Sequence, residues 1–252
     1  MRQMFKEKEF FTHAGWRDFL RHAVSVAPVR PFRDHDGAPA ILMRHDVDLS
    51  LEFARALAMI EKEEGVQSTF FIMTAAFTYN VLADESRAVI REIAEEGFEI
   101  GLHFSISADA DHDPKALQES VARESELLST VCGQEVRSVS LHNPTVLDMF
   151  PVFDSFRNAY DPSVFDDECY VSDSCMNFRG KNPYEFILRA SERPVQVLAH
   201  PMHFHEKRLT YPEIYAKHIK VNTGVIGDIA AVNRSFLPQC PQGLVQWLEE
   251  NR

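Results

Sequence analysis

The sequence predicts an α/β fold on a mostly parallel sheet, with a (β/α) barrel as the first choice and a doubly wound sheet as the second. Short, near-continuous apolar runs alternate along the chain with segments of helical periodicity. Parallel strands are buried on both faces and take that unbroken apolar form. The length, 252 residues, is what a single barrel of roughly 250 residues requires.

The elements follow in order. Residues through Asp36 read as an added helix and loop, the helix beginning at Gly15-Trp16-Arg17-Asp18-Phe19-Leu20. Ala40 to Arg44 reads as a strand, and Leu51 to Glu64 as a helix with Ser50 as its N-cap and Gly65 as its stop. Ser68 to Met73 is strand-like, Glu85 to Glu96 is a helix ended by Gly97, and Phe98 to His103 is a strand. Ala116 to Val131 is a helix ended by Gly133, and Val136 to Leu141 is the next strand. A strand at Glu168 to Val171, a helix around Tyr184 to Ser191 and a strand at Val195 to Leu198 come later. Amphipathic segments near Ile214 to Val221 and Leu244 to Glu249 close the chain. With no repeat, low-complexity run or Gly/Ser linker, the expectation is one domain over 1–252, residues 1–36 being an N-terminal helical extension.

Composition excludes several classes. The apolar fraction of 45% rules out disorder as the main state. A net charge of −12, from 26 Lys and Arg against 38 Asp and Glu, argues against nonspecific binding to nucleic acid. No run reaches the ~18 apolar residues of a membrane helix. The start, Met1 to Glu9, has no apolar core of a secretory leader. The four cysteines, Cys132, Cys169, Cys175 and Cys240, form no CxxC pair and read as reduced thiols, so a cytoplasmic location is expected. GxSxG, Walker A and GxGxxG patterns are absent, which argues against a nucleophile elbow and against nucleotide cofactors.

Eleven histidines are the feature to follow. Arg44-His45-Asp46-Val47-Asp48 lies at the end of the first strand, while His103, His142 and His200 end three others. In parallel α/β folds sites form at the carboxyl ends of strands, so these groups can converge on one mouth. Asp46 and Asp48, two apart on an extended segment, point to the same side. Like charges that close require a proton or a cation. A His/His/Asp set with an open position is a hydrolytic zinc arrangement, although imidazole also suits Co, Ni or Fe. In His200-Pro201-Met202-His203-Phe204-His205, an extended chain would put His203 and His205 on one side and His200 on the other. His203 ranks second to His200 as a catalytic candidate. His13, His22, His35, His112 and His218 read as surface residues.

At these residues the sequence resembles the polysaccharide deacetylase family, the NodB-homology or carbohydrate esterase 4 type. The matching segments are Arg44-His45-Asp46-Val47-Asp48, Ser68-Thr69-Phe70-Phe71, Gly97 to His103, Ser140-Leu141-His142-Asn143-Pro144 and Val197-Leu198-Ala199-His200-Pro201. The resemblance implies a distorted (β/α) barrel of seven or eight mostly parallel strands. It also implies metal-dependent removal of an acyl group, usually N-acetyl, from a sugar or glycan precursor. By motif position Asp46 would be the catalytic base, His200 the general acid, and Asp48 and His103 metal ligands. The family's second histidine, four residues after the first, is replaced by Ser107. His142, standing where many members carry an arginine that orients the base, is expected to supply the third ligand; the alternative is that it only orients Asp46. Arg44, Asn143, Tyr160 and Asp173 are expected to bind substrate, Asp173 alternatively orienting a histidine and Arg44 alternatively pairing with Asp46. The expected cofactor is a divalent metal, Zn2+ first and Co, Ni or Fe as alternatives. The expected partner is a carbohydrate, or a nucleotide- or lipid-linked glycan precursor. A small non-sugar amide as substrate and an inactive glycan-binding homologue are the competing readings.

Overall fold

The computed structural model describes residues 7–107 and 112–251. The run Met1 to Lys6, on which part of the expectation of no leader rests, lies outside them. The chain divides into two compact units, Met1–Arg208 and Leu209–Arg252.

The larger unit opens with α1 (Glu7–Phe10) and α2 (His13–Val26), followed by β1 (Val29–Arg30). Strands and helices then alternate: β2 (Ile41–Val47), α3 (Leu51–Glu63), β3 (Thr69–Ile72), α4 (Asp84–Glu95), β4 (Glu99–Ser105), α5 (Pro114–Cys132) and β5 (Ser138–His142). The short α6 (Pro144–Leu147), β6 (Arg157–Asn158) and β7 (Tyr170–Ser172) come next, then α7 (Pro183–Phe186) with a 3-10 turn to Ser191, and β8 (Val195–Leu198). All eight strands pair in parallel, in the order β6-β5-β4-β3-β2-β8-β7, with β1 beside β2. This is the expected distorted (β/α) barrel, open between β6 and β7. The reason it is parallel is local: β2, β3 and β4 each run into a helix, α3, α4 and α5, that returns to the strand's starting end.

Element boundaries follow chemistry readable in the chain. Ser50 caps α3 by accepting from Phe53 N–H. Gly133 ends α5 at φ 78°, the left-handed conformation that costs a glycine nothing. On β2 the whole strand is buried, and alternate residues face opposite layers. Leu42 joins Phe32, Phe71, Ala159 and Val164 in the barrel interior, whereas Ile41 and Met43 join the outer core with Trp16 and Phe19 of α2. Gly101 is required where it stands, because a Cβ there would sit 2.6 Å from the Phe71 ring that fills the barrel.

Of the N-terminal segment expected as an added helix and loop, Glu7–Phe10 and His13–Val26 are helical, and Phe10, Phe11, Trp16, Phe19 and Leu20 are core residues, so this part is built into the fold rather than added to it. The open side of the barrel is bridged by a side chain: Gln196 of β8 donates through Nε2 to Ala159 O and Val164 O, both 2.9 Å. The smaller unit holds α8 (Tyr211–Ala231), begun by a Thr210–Glu213 capping box, and α9 (Leu244–Glu250). Among the described residues no helix is long and apolar enough to cross a membrane.

Candidate active site

Parity on β2 places Arg44, Asp46 and Asp48 on the inner side and turns His45 outward. Arg44 is fully buried and grips Asp46 with two bonds, Nε to Oδ1 and Nη2 to Oδ2, both 2.8 Å. Its other N–H groups donate to Gln196 Oε1 (3.0 Å), Ser140 Oγ (2.8 Å) and Tyr160 OH (3.2 Å). Burial alone would raise the Asp46 carboxyl; the Arg44 guanidinium bonded to it outweighs burial and holds the group below its ordinary value. Asp46 is therefore a fixed carboxylate anion.

The hydroxyl of Ser140 sets the next residue. It accepts from Arg44 and donates its one proton to Asp46 Oδ1 at 3.1 Å. The 2.8 Å contact from His103 Nδ1 must then be an N–H donated to that oxygen. This leaves His103 Nε2 with a lone pair, aimed at Asp48 Oδ1 at 3.1 Å. His142 Nδ1 completes a triangle, 3.2 Å from His103 Nε2 and 3.4 Å from Asp48 Oδ1. The Asn143 side-chain amide lies 2.9 Å from the other ring nitrogen of His142; with its oxygen turned to that nitrogen it accepts the Nε2 N–H, which leaves Nδ1 the lone pair.

Three electron-rich atoms facing one another need a positive charge between them or a proton on one imidazole. Two observations fit a cation. Asp48 Oδ1 is buried without an aligned hydrogen bond. The three separations of 3.1–3.4 Å match the edge of a tetrahedron with bonds of about 2.0–2.1 Å, which is about 3.3 Å. Asp48, His103 and His142 thus form a group that can hold a divalent metal. In the alternative state, with protons rather than a cation in the triangle, burial would raise the Asp48 carboxyl, and hydrogen bonds donated by His103 and His142 would hold it well below the carboxylate range.

Opposite lies a second group, Asp173 with His200 and His203. Asp173 is fully buried just past β7, with Oδ1 2.6 Å from His200 Nδ1 and Oδ2 2.8 Å from His203 Nδ1. The backbone N–H of His200 also donates to it, at 3.0 Å. These are direct hydrogen bonds, and they turn His200 Nε2 toward Asp48 Oδ2, 3.7 Å away. Burial would depress the His200 imidazolium; Asp173 prevails and lifts it to about 9. His200 is a proton donor at neutral pH.

The structure brings Asp46, Asp48, His103, His142 and His200 together at the carboxyl ends of β2, β4, β5 and β8. It corrects several other expectations. Arg44 and Asp173 cannot touch substrate, because each is 0% exposed with its polar atoms occupied; each positions a neighbour instead. Tyr160 does not offer a free ring, since the Arg44 guanidinium covers it at 4.8 Å and Phe165 packs at 4.6 Å. Asn143 remains exposed at the rim, in the left-handed region at φ 47°. Ser107 is exposed on the loop after β4. His203 shares Asp173 with His200, because Pro201–His203 forms a 3-10 turn in place of an extended run. His218 is buried rather than on the surface.

Three groups were not anticipated. Ser140 and Gln196 lie inside strands read as apolar; the alternation Ser138, Ser140, His142 was the available signal for the first. The third is a network behind the site. His45 Nδ1 donates to Ala199 O at 2.9 Å, and its Nε2 lies 2.7 Å from Glu61 Oε1. Glu61, buried on α3, also accepts from Trp16 Nε1 (3.1 Å) and Ser68 Oγ (2.5 Å).

No family model and no curated protein matches this sequence. Solved structures do match. A pseudoenzyme of carbohydrate esterase family 4 from Bacillus anthracis is 14% identical, covering 75% of this chain and 61% of its own, with TM-score 0.42. The chitin deacetylase of the fungal pathogen Colletotrichum lindemuthianum is 14% identical over 72% of this chain and 81% of that one, TM-score 0.44. A family 4 acetyl xylan esterase from Clostridium thermocellum, in complex with a cobalt ion, is 18% identical over 73% and 82%, TM-score 0.38. This chain thus spans less than two thirds of the Bacillus protein.

Proposed function

We propose that this chain is a metal-dependent hydrolase that removes an acyl group, N-acetyl first, from a sugar or glycan precursor. The observation that carries the reading is the triangle of Asp48, His103 and His142 set between a fixed carboxylate and a protonated imidazole. Asp48 Oδ1, His103 Nε2 and His142 Nδ1 would hold the ion, Zn2+ first and Co, Ni or Fe as alternatives. A divalent ion there supplies Lewis acidity, which polarises an acyl carbonyl and acidifies water.

The chain's own residues supply the proton transfers. Asp46 is the base. Arg44 takes one lone pair on each of its oxygens and Ser140 a second on Oδ1; a carboxylate has about four acceptor sites, so a water proton can still be accepted at Oδ2. His200 is the acid, giving its Nε2 proton to the departing nitrogen, which leaves poorly as an anion. Asp173 fixes that imidazole through Nδ1 and stabilises its charge. Asn143 at the rim is placed to meet substrate.

The test is acetate release from N-acetylated oligosaccharides, nucleotide sugars and small amides by protein reconstituted with Zn2+, with metal counted by mass spectrometry. One ion per chain and release from a saccharide are expected. Less than a stoichiometric ion together with no release overturns the reading, and release only from a small amide moves the substrate outside sugars. Asp46→Asn is expected to abolish turnover while retaining metal; undiminished activity would remove Asp46 as the base.

A further inference from the structure

We propose that Phe77 is a stacking platform for a ring of the carbohydrate substrate, an assignment that rests on the reading of the site as a sugar deacylase. The segment after β3 is tied to the site at several points. Thr78 Oγ1 donates to the backbone carbonyl of Asp48 at 3.3 Å, and Tyr79 OH donates to that of Val47 at 2.7 Å. Tyr79 OH also accepts from Met73 N–H at 3.0 Å, and Thr74 Oγ1 donates to Glu124 of α5. The backbone that carries Phe77 is therefore held against the residues that present Asp46 and Asp48.

From that braced backbone the Phe77 ring stands wholly in solvent. At 106% relative exposure it is the most exposed large hydrophobic side chain among the described residues. Burying a phenylalanine stabilises a fold by about 1.5–3 kcal/mol, and Phe77 contributes none of that here. Ala75, Ala76 and Thr78 beside it are too small to cover its faces. An aromatic face carries negative quadrupolar charge, and the partly positive C–H bonds on one face of a sugar ring complement it. Thr78, the next residue, bonds the backbone carbonyl of Asp48, so Phe77 is carried one residue from a contact to the metal-binding group.

The experiment compares wild type with Phe77→Ala and Phe77→Trp, all loaded with Zn2+, on an N-acetylglucosamine tetramer and on 4-nitrophenyl acetate, which has no sugar. The readout is the ratio of kcat/KM values on the two substrates, which normalises for folding and metal loading. Phe77→Ala is expected to lower that ratio about three- to tenfold, the size of an aromatic contact, through KM on the tetramer; Phe77→Trp is expected to restore it. An unchanged ratio in Phe77→Ala overturns the assignment. If no variant, wild type included, cleaves either substrate, the deacylase reading fails, and saturation-transfer NMR with the tetramer still decides on Phe77. Transfer lost in Phe77→Ala and kept in Phe77→Trp supports the platform; equal transfer in all three, or none in wild type, refutes it.

Discussion

Replacing His142 by alanine removes the third corner of the metal-binding group. The ring contributes Nδ1, one corner of a triangle whose edges are 3.1, 3.2 and 3.4 Å, and removal leaves Asp48 and His103 as a two-donor site. Loss of a partner that only hydrogen-bonds to a ligand costs about ten- to hundredfold in affinity. Loss of a donor itself should therefore weaken Zn2+ by at least about a hundredfold, or about 2.8 kcal/mol. The assay is competition with a chromogenic chelator at fixed pH, with far-ultraviolet circular dichroism to confirm an unchanged fold. Asn143→Ala, which removes only the 2.9 Å contact to His142 Nε2, should fall on the order of tenfold. A His142→Ala protein that binds Zn2+ within twofold of wild type would refute the triangle and leave His142 as a residue that merely borders Asp48.

Further expectations follow from other parts of the molecule. Glu61→Leu would leave Trp16 Nε1, Ser68 Oγ and His45 facing an apolar side chain; breaking such a buried pair costs about 3–5 kcal/mol, a Tm drop on the order of 10 °C, and a loss under about 1 kcal/mol would show that the network is not holding the fold. Gly101→Ala would drive a methyl into the Phe71 ring and should cost about 1–3 kcal/mol in urea unfolding, whereas a stabilised variant would contradict the packing described. With His200 as the acid and its imidazolium lifted to about 9, activity should fall on the alkaline side near pH 9. Asp173→Asn should move that limb toward lower pH, and a limb that stays put would detach it from His200. The same pair has a stability signature. Because the folded value of His200 lies above the ordinary 6.5, its contribution is fully present below about pH 6.5 and is lost as pH rises through about 9. The stability gap between wild type and Asp173→Asn should accordingly narrow between pH 6 and pH 10.

What the sequence disclosed depended on the range of the interaction. The core of each strand, the capping by Ser50 and the stops at Gly65, Gly97 and Gly133 are set by neighbours, and the pattern of apolar runs carried them. The two-residue period correctly put Asp46 and Asp48 on one side. It failed at His200–His205, where Pro201 opens a 3-10 turn and parity no longer applies. Arg44 was readable as a partner of Asp46 but not as a buried hub, because its bonds to Ser140 and Gln196 join residues 96 and 152 positions away. Glu61 was invisible for a related reason: on a helix, one acidic residue toward the core looks like any surface charge until its partners are known. His45 shows the converse, a histidine inside the signature that faces away from the chemistry.

The unpaired side of the barrel bears on how the molecule opens. Seven backbone ladders join the strands, but none joins β6 and β7, which are two and three residues long; the amide of Gln196 and the ring contacts Tyr160–Phe165–Tyr170 span that gap. Sub-global opening proceeds where few ordered backbone bonds must break. Amide protons over residues 157–172 should consequently exchange with solvent deuterium through an excursion much lower in free energy than global unfolding. Since that stretch carries Tyr160 at one end and leads into Asp173 at the other, each such excursion would take the Tyr160 hydroxyl from Arg44 and loosen the support of His200 while the β2–β5 sheet stays intact.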